Sequence, residues 1–152
     1  MQPEIITYNP KYKTDFISLN TAWLQEYFFV EQHDIDVFNA VEETIIQTGG
    51  EIFFCLIANE VAGTVAMQKV NETTFEMAKL AVNKKFQGQN IGKILIETCI
   101  DFAKQKNATT IMLMSSTKLD VALHLYKKYN FIEVPLDEND YARADIQMEL
   151  YL

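Results

Sequence analysis

A chain of 152 residues is long enough to bury one core without disulfide or metal staples. An apolar fraction of 49% with 22% charged residues excludes a disordered chain, and only 5 Gly and 3 Pro exclude collagenous and low-complexity classes. Thirteen basic against 21 acidic side chains leave a net charge of −8 and a pI near 4.7, a field that disfavours nucleic acid and steers cationic partners, amines included.

In chain order, Ile5–Tyr8 reads as a short first strand ended by Asn9-Pro10. From Lys13 to Val30 the apolar residues Phe16, Ile17, Leu19, Trp23, Leu24, Tyr27 and Phe28 recur at helical spacing. A second helix is expected over Asp36–Thr48, stopped by Gly49-Gly50. Ile52–Ala58 is an unbroken apolar run, as in a strand covered on both faces, and Asn59-Glu60 joins it through a two-residue hairpin loop to Val61–Val70. In Thr73–Val82, Phe75 and Met77 keep one phase while Leu80 and Val82 keep the other. A period of two cannot slip by one residue without an irregularity, so a β-bulge is predicted near Ala78-Lys79. Ile91, Ile94, Leu95, Cys99, Phe102 and Ala103 form the stripe of a helix that Asn107 stops. Thr110–Ser115 is a strand, Leu119–Tyr129 a helix, Phe131–Val134 a short strand and Ala144–Tyr151 a last strand.

The order β-α-α-β-β-β-α-β-α-β-β predicts a mixed α/β (α+β) domain, an antiparallel meander followed by a crossover. No linker, repeat or charge block divides it, so residues 1–152 are read as one domain. Met1-Gln2-Pro3-Glu4 lacks the features of a secretory signal, and no apolar run approaches the roughly 20 residues of a membrane span, so a cytoplasmic protein without a membrane partner is expected. Cys55 and Cys99 sit among apolar neighbours and read as buried, inert thiols. His33 and His124 show no metal-ligand spacing, so no metal site is expected, and His124 is read as structural.

The connection Lys84–Lys93 leads from a strand into a helix N-terminus, where unpaired N–H groups and the helix dipole can hold an anion. Gly88 and Gly92 allow close backbone approach, and Lys84, Lys85 and Lys93 add positive charge. Gly88-x-x-x-Gly92-Lys93 is one residue short of a Walker loop, and Ile94 stands where such a loop needs Ser or Thr, which disfavours a nucleoside triphosphate. The loop by itself is equally compatible with an ordinary strand-to-helix turn.

Three segments read together are more specific: Glu76–Val82, Gln87–Gly92 and Ala122–Phe131. Their combination resembles the GNAT superfamily of acyl-CoA N-acyltransferases. Gln87 and Gly92 match the family's (Q/R)-x-x-G-x-(G/A) pyrophosphate motif, and Ala122–Phe131 is similar to its A-x-x-L-Y-x-x-x-G-F motif. The resemblance implies a mostly antiparallel mixed sheet, splayed between the fourth and fifth strands and flanked by about four helices. It implies acetyl-CoA as cosubstrate, with backbone groups of Leu80, Ala81 and Val82 along the pantetheine arm. Amides of Gln87, Gly88, Gln89, Asn90, Ile91, Gly92 and Lys93 would hold the pyrophosphate. Tyr126 would protonate the departing thiolate. Asn90 and Asn130 depart from the motifs at glycine positions, where Asn can still adopt a left-handed backbone.

The implied activity is direct acetyl transfer to a primary amine of a small molecule or peptide, which needs a base. Glu76 resembles a glutamate often found on that strand in such enzymes; Glu31, read with Tyr27, Phe28 and Asp34 as lining an acceptor pocket, is the other candidate. A CoA-binding sensor or interaction module of the same fold, without turnover, is the alternative, and a structural domain without a ligand is a third reading. The apolar strand Ala144–Tyr151 is expected to leave an edge through which a homodimer could form.

Overall fold

In a computed structural model, which describes residues 2–152, seven strands form one sheet in the order β1-β2-β3-β4-β5-β7-β6. The strands are β1 (Glu4–Thr7), β2 (Glu51–Ile57), β3 (Glu60–Asn71), β4 (Thr74–Val82), β5 (Thr110–Ser115), β6 (Ile132–Val134) and β7 (Ile146–Tyr151). Four α-helices flank them: α1 (Lys13–Tyr27), α2 (Gln32–Asn39), α3 (Ile91–Gln105) and α4 (Asp120–Lys128). All neighbouring strands are antiparallel except β4 and β5. This is the expected mixed α/β architecture.

The apolar run of β2 is covered on both faces, as its composition predicts. Phe53, Cys55 and Ile57 join α3 and α4 in one core cluster, while Ile52, Phe54 and Leu56 pack with Phe16, Val37 and Ile45 on the other side of the sheet. Both cysteines are buried and unpaired. The β2–β3 loop is Ala58-Asn59, with φ of 52° and 66°, instead of Asn59-Glu60. A loop with both central residues at positive φ matches the twist of the strands and leaves Glu60 free to pair with Ile57.

The second helix departs from its expected span. The Asp34 carboxylate accepts the Glu31 amide at 2.9 Å, which starts α2 four residues earlier, at Gln32. Ala40 then leaves helical geometry (φ −144°), and a wider turn over Glu42–Ile46 carries Ile45 into the core.

The predicted bulge is present in β4. Thr64 to Ala66 on β3 oppose Ala81 to Ala78, two steps against three, and Lys79 takes φ of 58°. Pairing of β4 with β5 stops at Glu76–Met112, so the two strands diverge beyond that point, as the resemblance implied. Gly63 on β3 seats α3 against this region. A Cβ there would lie 2.7 Å from Ile91 Cγ2 and 3.2 Å from the Ala81 carbonyl oxygen. Gly63→Ala is therefore expected to lose about 1–3 kcal/mol in urea unfolding through overpacking.

The C-terminal strand does not offer an edge. β7 lies between β5 and β6 and pairs with both, because the chain returns from β6 to fill the gap beside β5. Dimerisation through an open edge of this strand is thereby overturned.

Candidate active site

Where β4 and β5 separate, a cleft of about 940 Å³ opens between them, floored by α3 and α4. Residues 77–82 of β4 pair only with β3, so their other edge presents unpaired backbone groups to the cleft. At its far end stands the N-terminus of α3. Asn90 adopts φ of 64°, the left-handed geometry that Gly would take without strain, and Ile94 is the first residue whose amide bonds back, to Asn90 O at 3.1 Å. Among the described residues, the amides of 88–93 have no backbone acceptor, a run of six donors at the positive end of a helix.

The glycines of this loop are not explained by packing. Gly88 has φ of 85° with no atom within 4 Å of a Cβ position, and a Cβ on Gly92 would only reach Leu125 at an ordinary 3.7 Å. A glycine in the first turn of a helix costs up to about 1 kcal/mol relative to Ala, so clearance for a bulky group outside the chain is the remaining physical reason for it. Of the three lysines expected to add positive charge, Lys84 is engaged by Glu26 at 2.9 Å and Lys85 by Glu60 at 2.8 Å, which leaves Lys93 on the cleft wall.

Tyr126, on α4, lines the cleft. Its ring packs on Phe131 at 5.9 Å, and burial, with the neighbouring Cys99, pushes the phenol up to about 12. It therefore keeps its proton throughout the neutral range. The turn after α4 closes through Asn130 at φ of 72°, again a left-handed asparagine in place of glycine. His124, expected to be structural, is exposed on the cleft wall instead, because α4 turns that face outward.

Glu76 lies at the divergence point itself and borders two cavities: the cleft and a second space of about 270 Å³ beneath the segment joining β6 to β7. Burial raises the Glu76 carboxyl above the usual carboxylate range; Lys79 opposes the rise and Asp140 adds to it. The second cavity is also bordered by His33, Asp137, Glu138, Asp140 and Tyr141.

Glu31 and Asp34 do not line either cavity. Glu31 accepts the Ala142 amide at 2.8 Å, the Arg143 amide at 3.3 Å and Arg143 Nη1 at 3.2 Å. Asp34, fully buried, accepts both Arg143 nitrogens at 2.8 Å and is bonded to Lys79 Nζ. Burial pushes the Asp34 carboxyl up, but hydrogen bonds from Arg143, Lys79 and the Glu31 amide outweigh it and leave it at about 2. Asp34 is thus the centre of an ion-pair cluster and not the pocket acid that sequence suggested. The cluster ties α2, the β4 bulge and the β6–β7 segment together.

The family model described as Acetyltransferase (GNAT) family matches residues 17–131. The chain belongs to the GNAT acetyltransferase family. The ribosomal protein bS18-alanine N-acetyltransferase of Escherichia coli is 27% identical over 130 residues, 84% of this chain and 87% of that protein. A GNAT-family acetyltransferase structure from Staphylococcus aureus superposes with a TM-score of 0.88 at 20% identity, covering 99% of each chain. A PaiA N-acetyltransferase from Thermoplasma acidophilum, solved in complex with coenzyme A, superposes with a TM-score of 0.79 at 15% identity over 100% of each chain. Two further N-acetyltransferase relatives match over shorter stretches, in which the chain spans 27% and 61% of their lengths.

Within this GNAT fold, the sequence had singled out Glu76, Tyr126 and the 87–93 loop, and all three border one cleft. It had missed Lys79 and Arg143. Lys79 carried a signal: on strict alternation it shares the phase of Phe75 and Met77, which would bury an ammonium in an apolar core. Arg143 carried none, since its partners lie 109 and 112 residues away. No helix among the described residues is long and apolar enough to cross a membrane, and no group of three metal-ligating side chains comes together among them.

Proposed function

We propose that this protein transfers an acetyl group from acetyl-CoA to a cationic primary amine by direct attack. The observation that carries the reading is Glu76, a half-buried carboxyl bordering both cavities where the sheet divides. The free amides of 88–93 and the clearance at Gly88 and Gly92 suit a pyrophosphate, and the unpaired edge at Leu80, Ala81 and Val82 suits the pantetheine amides. Acetyl-CoA, when bound, supplies an acetyl thioester. The second cavity suits the amine, because Asp137, Glu138 and Asp140 add negative charge beside Glu76.

The roles follow from ionisation. Glu76 takes a proton from the acceptor nitrogen, and a carboxyl raised by burial is a better base for this than an exposed one. Tyr126 keeps its hydroxyl proton at neutral pH and offers it to the sulfur as charge develops there. Glu31 is assigned to holding the β6–β7 segment, since backbone and Arg143 donors already occupy its oxygens.

The test combines binding and turnover. Acetyl-CoA at about 100 times its Kd is expected to add about 2.7 kcal/mol to stability, read as a rise in unfolding temperature. Thiol release is then measured with diamines and with peptides bearing a free N-terminus, the second because an E. coli relative acts on a ribosomal-protein alanine. Tyr126→Phe is expected to lose about 10²-fold in kcat while keeping the thermal protection. Absence of protection by either acetyl-CoA or CoA would falsify the reading.

A further inference from the structure

Phe75 and Met77 point from β4 into the core cluster beneath α3. One more alternation would send Lys79 the same way, among Ile91, Leu95 and Ile96, where an ammonium has no partner. The extra residue of the bulge prevents this. With φ of 58°, Lys79 turns to the α2 side of the sheet, where Nζ meets Asp34 and lies 5.2 Å from the Phe38 ring centroid and 4.8 Å from that of Tyr141. A left-handed backbone is strained for a residue with a Cβ, and glycine would avoid that strain.

Asp34 has a second cation besides this lysine. Arg143 already grips both Asp34 oxygens at 2.8 Å, and Arg143 is shared with Glu31. Two acids and Arg143 leave room for one more cation, but the Lys79 side chain, only 8% exposed, also borders both cavities beside Glu76. Glu76 itself has no hydrogen-bond or ion-pair partner among the described residues.

We propose that Lys79 is a positioning residue for Glu76: the bulge and Asp34 hold its ammonium where it supplies the positive charge that the Glu76 carboxylate faces at the junction of the two cavities. The inference rests on the reading of Glu76 as the base. The other titratable groups of α2 and the β6–β7 segment that border these cavities are His33, Asp137, Glu138, Asp140, Tyr141 and Arg143, and Asp34 stands behind Lys79. Tyr126 on α4 borders the cleft, and β5 contributes Met112, Leu113, Met114 and Ser115 to the two walls, none of them charged. Asp140 of the β6–β7 segment opposes ionisation of Glu76, so removing Lys79 leaves burial and Asp140 acting together.

The test reads Glu76 directly. Its carboxyl carbon is followed by 13C NMR against pH in glutamate-labelled protein, with the signal assigned by its loss in Glu76→Gln. In Lys79→Met the titration midpoint is expected to move to higher pH, and in Lys79→Arg to stay at the parent position. Should Lys79→Met fail to fold, Lys79→Gln, whose amide can still bond Asp34, takes its place. The acid limb of kcat/KM is expected to move with the midpoint, so turnover is lost at low pH and recovered at high pH. An unmoved midpoint in the neutral variant overturns the role of Lys79 alone. Undiminished turnover in Glu76→Gln overturns the base assignment, and the positioning role with it.

Discussion

Glu76→Gln is expected to cut kcat/KM by about 10²–10⁴-fold while leaving thermal protection by acetyl-CoA at the parent level. The amide keeps the shape of the side chain and removes only its ability to take a proton. The same substitution is expected to raise stability at pH 8. Burial raises the Glu76 carboxyl in the folded chain, so its favourable contribution is fully present below the unfolded value of about 4.3 and is lost as pH rises through the folded one. Glutamine has no such loss. Urea unfolding should therefore show the variant ahead of the parent at pH 8, with the gap closing toward pH 4. A variant that is both less active and less stable at pH 8 would indicate packing damage instead of a missing base. The parent enzyme gives up stability to keep an ionisable group half-buried at the junction of the cavities.

Asp34→Asn is expected to cost about 3–5 kcal/mol, the usual consequence of leaving buried charges without a partner. Asp34 is fully buried and bonds Arg143 and Lys79 together, so its loss takes a charge partner from both at once and leaves Arg143 only Glu31. The damage is also expected to reach turnover, because the β6–β7 segment and the bulge are both anchored through this carboxylate. Its pH dependence has a definite sign. The folded carboxyl lies at about 2 against an ordinary 3.8, so its stabilisation is present above about pH 4 and disappears as pH falls toward 2. The shift corresponds to about 2 kcal/mol, a loss that urea unfolding at pH 5 and pH 2.5 would detect in the parent but not in the variant.

Much of this protein follows from local rules read along the chain. The two-faced apolar run of β2, the stripe of α3 and the two asparagines that replace glycine at positive φ were all set by residue type and spacing. The bulge belongs with them, since the phase change between Met77 and Leu80 admits no regular strand. The loop glycines and Tyr126 could be singled out because each lies in its own contiguous motif, Gln87–Gly92 and Ala122–Phe131. The π-type turn after α2 was not, since it depends on carrying Ile45 into the core.

Contacts across the whole chain were decided only by the tertiary structure. The position of β7 between β5 and β6 removes an edge that its composition alone made plausible, because strand order is set by pairing and not by the strand's own residues. Glu31 and Asp34 read as pocket acids from their neighbours in sequence, yet Arg143, more than a hundred residues later, turns both into anchors. Charge pairing of that kind leaves no periodic trace. Residue type specifies what a side chain can bond, and the fold alone specifies which partner arrives.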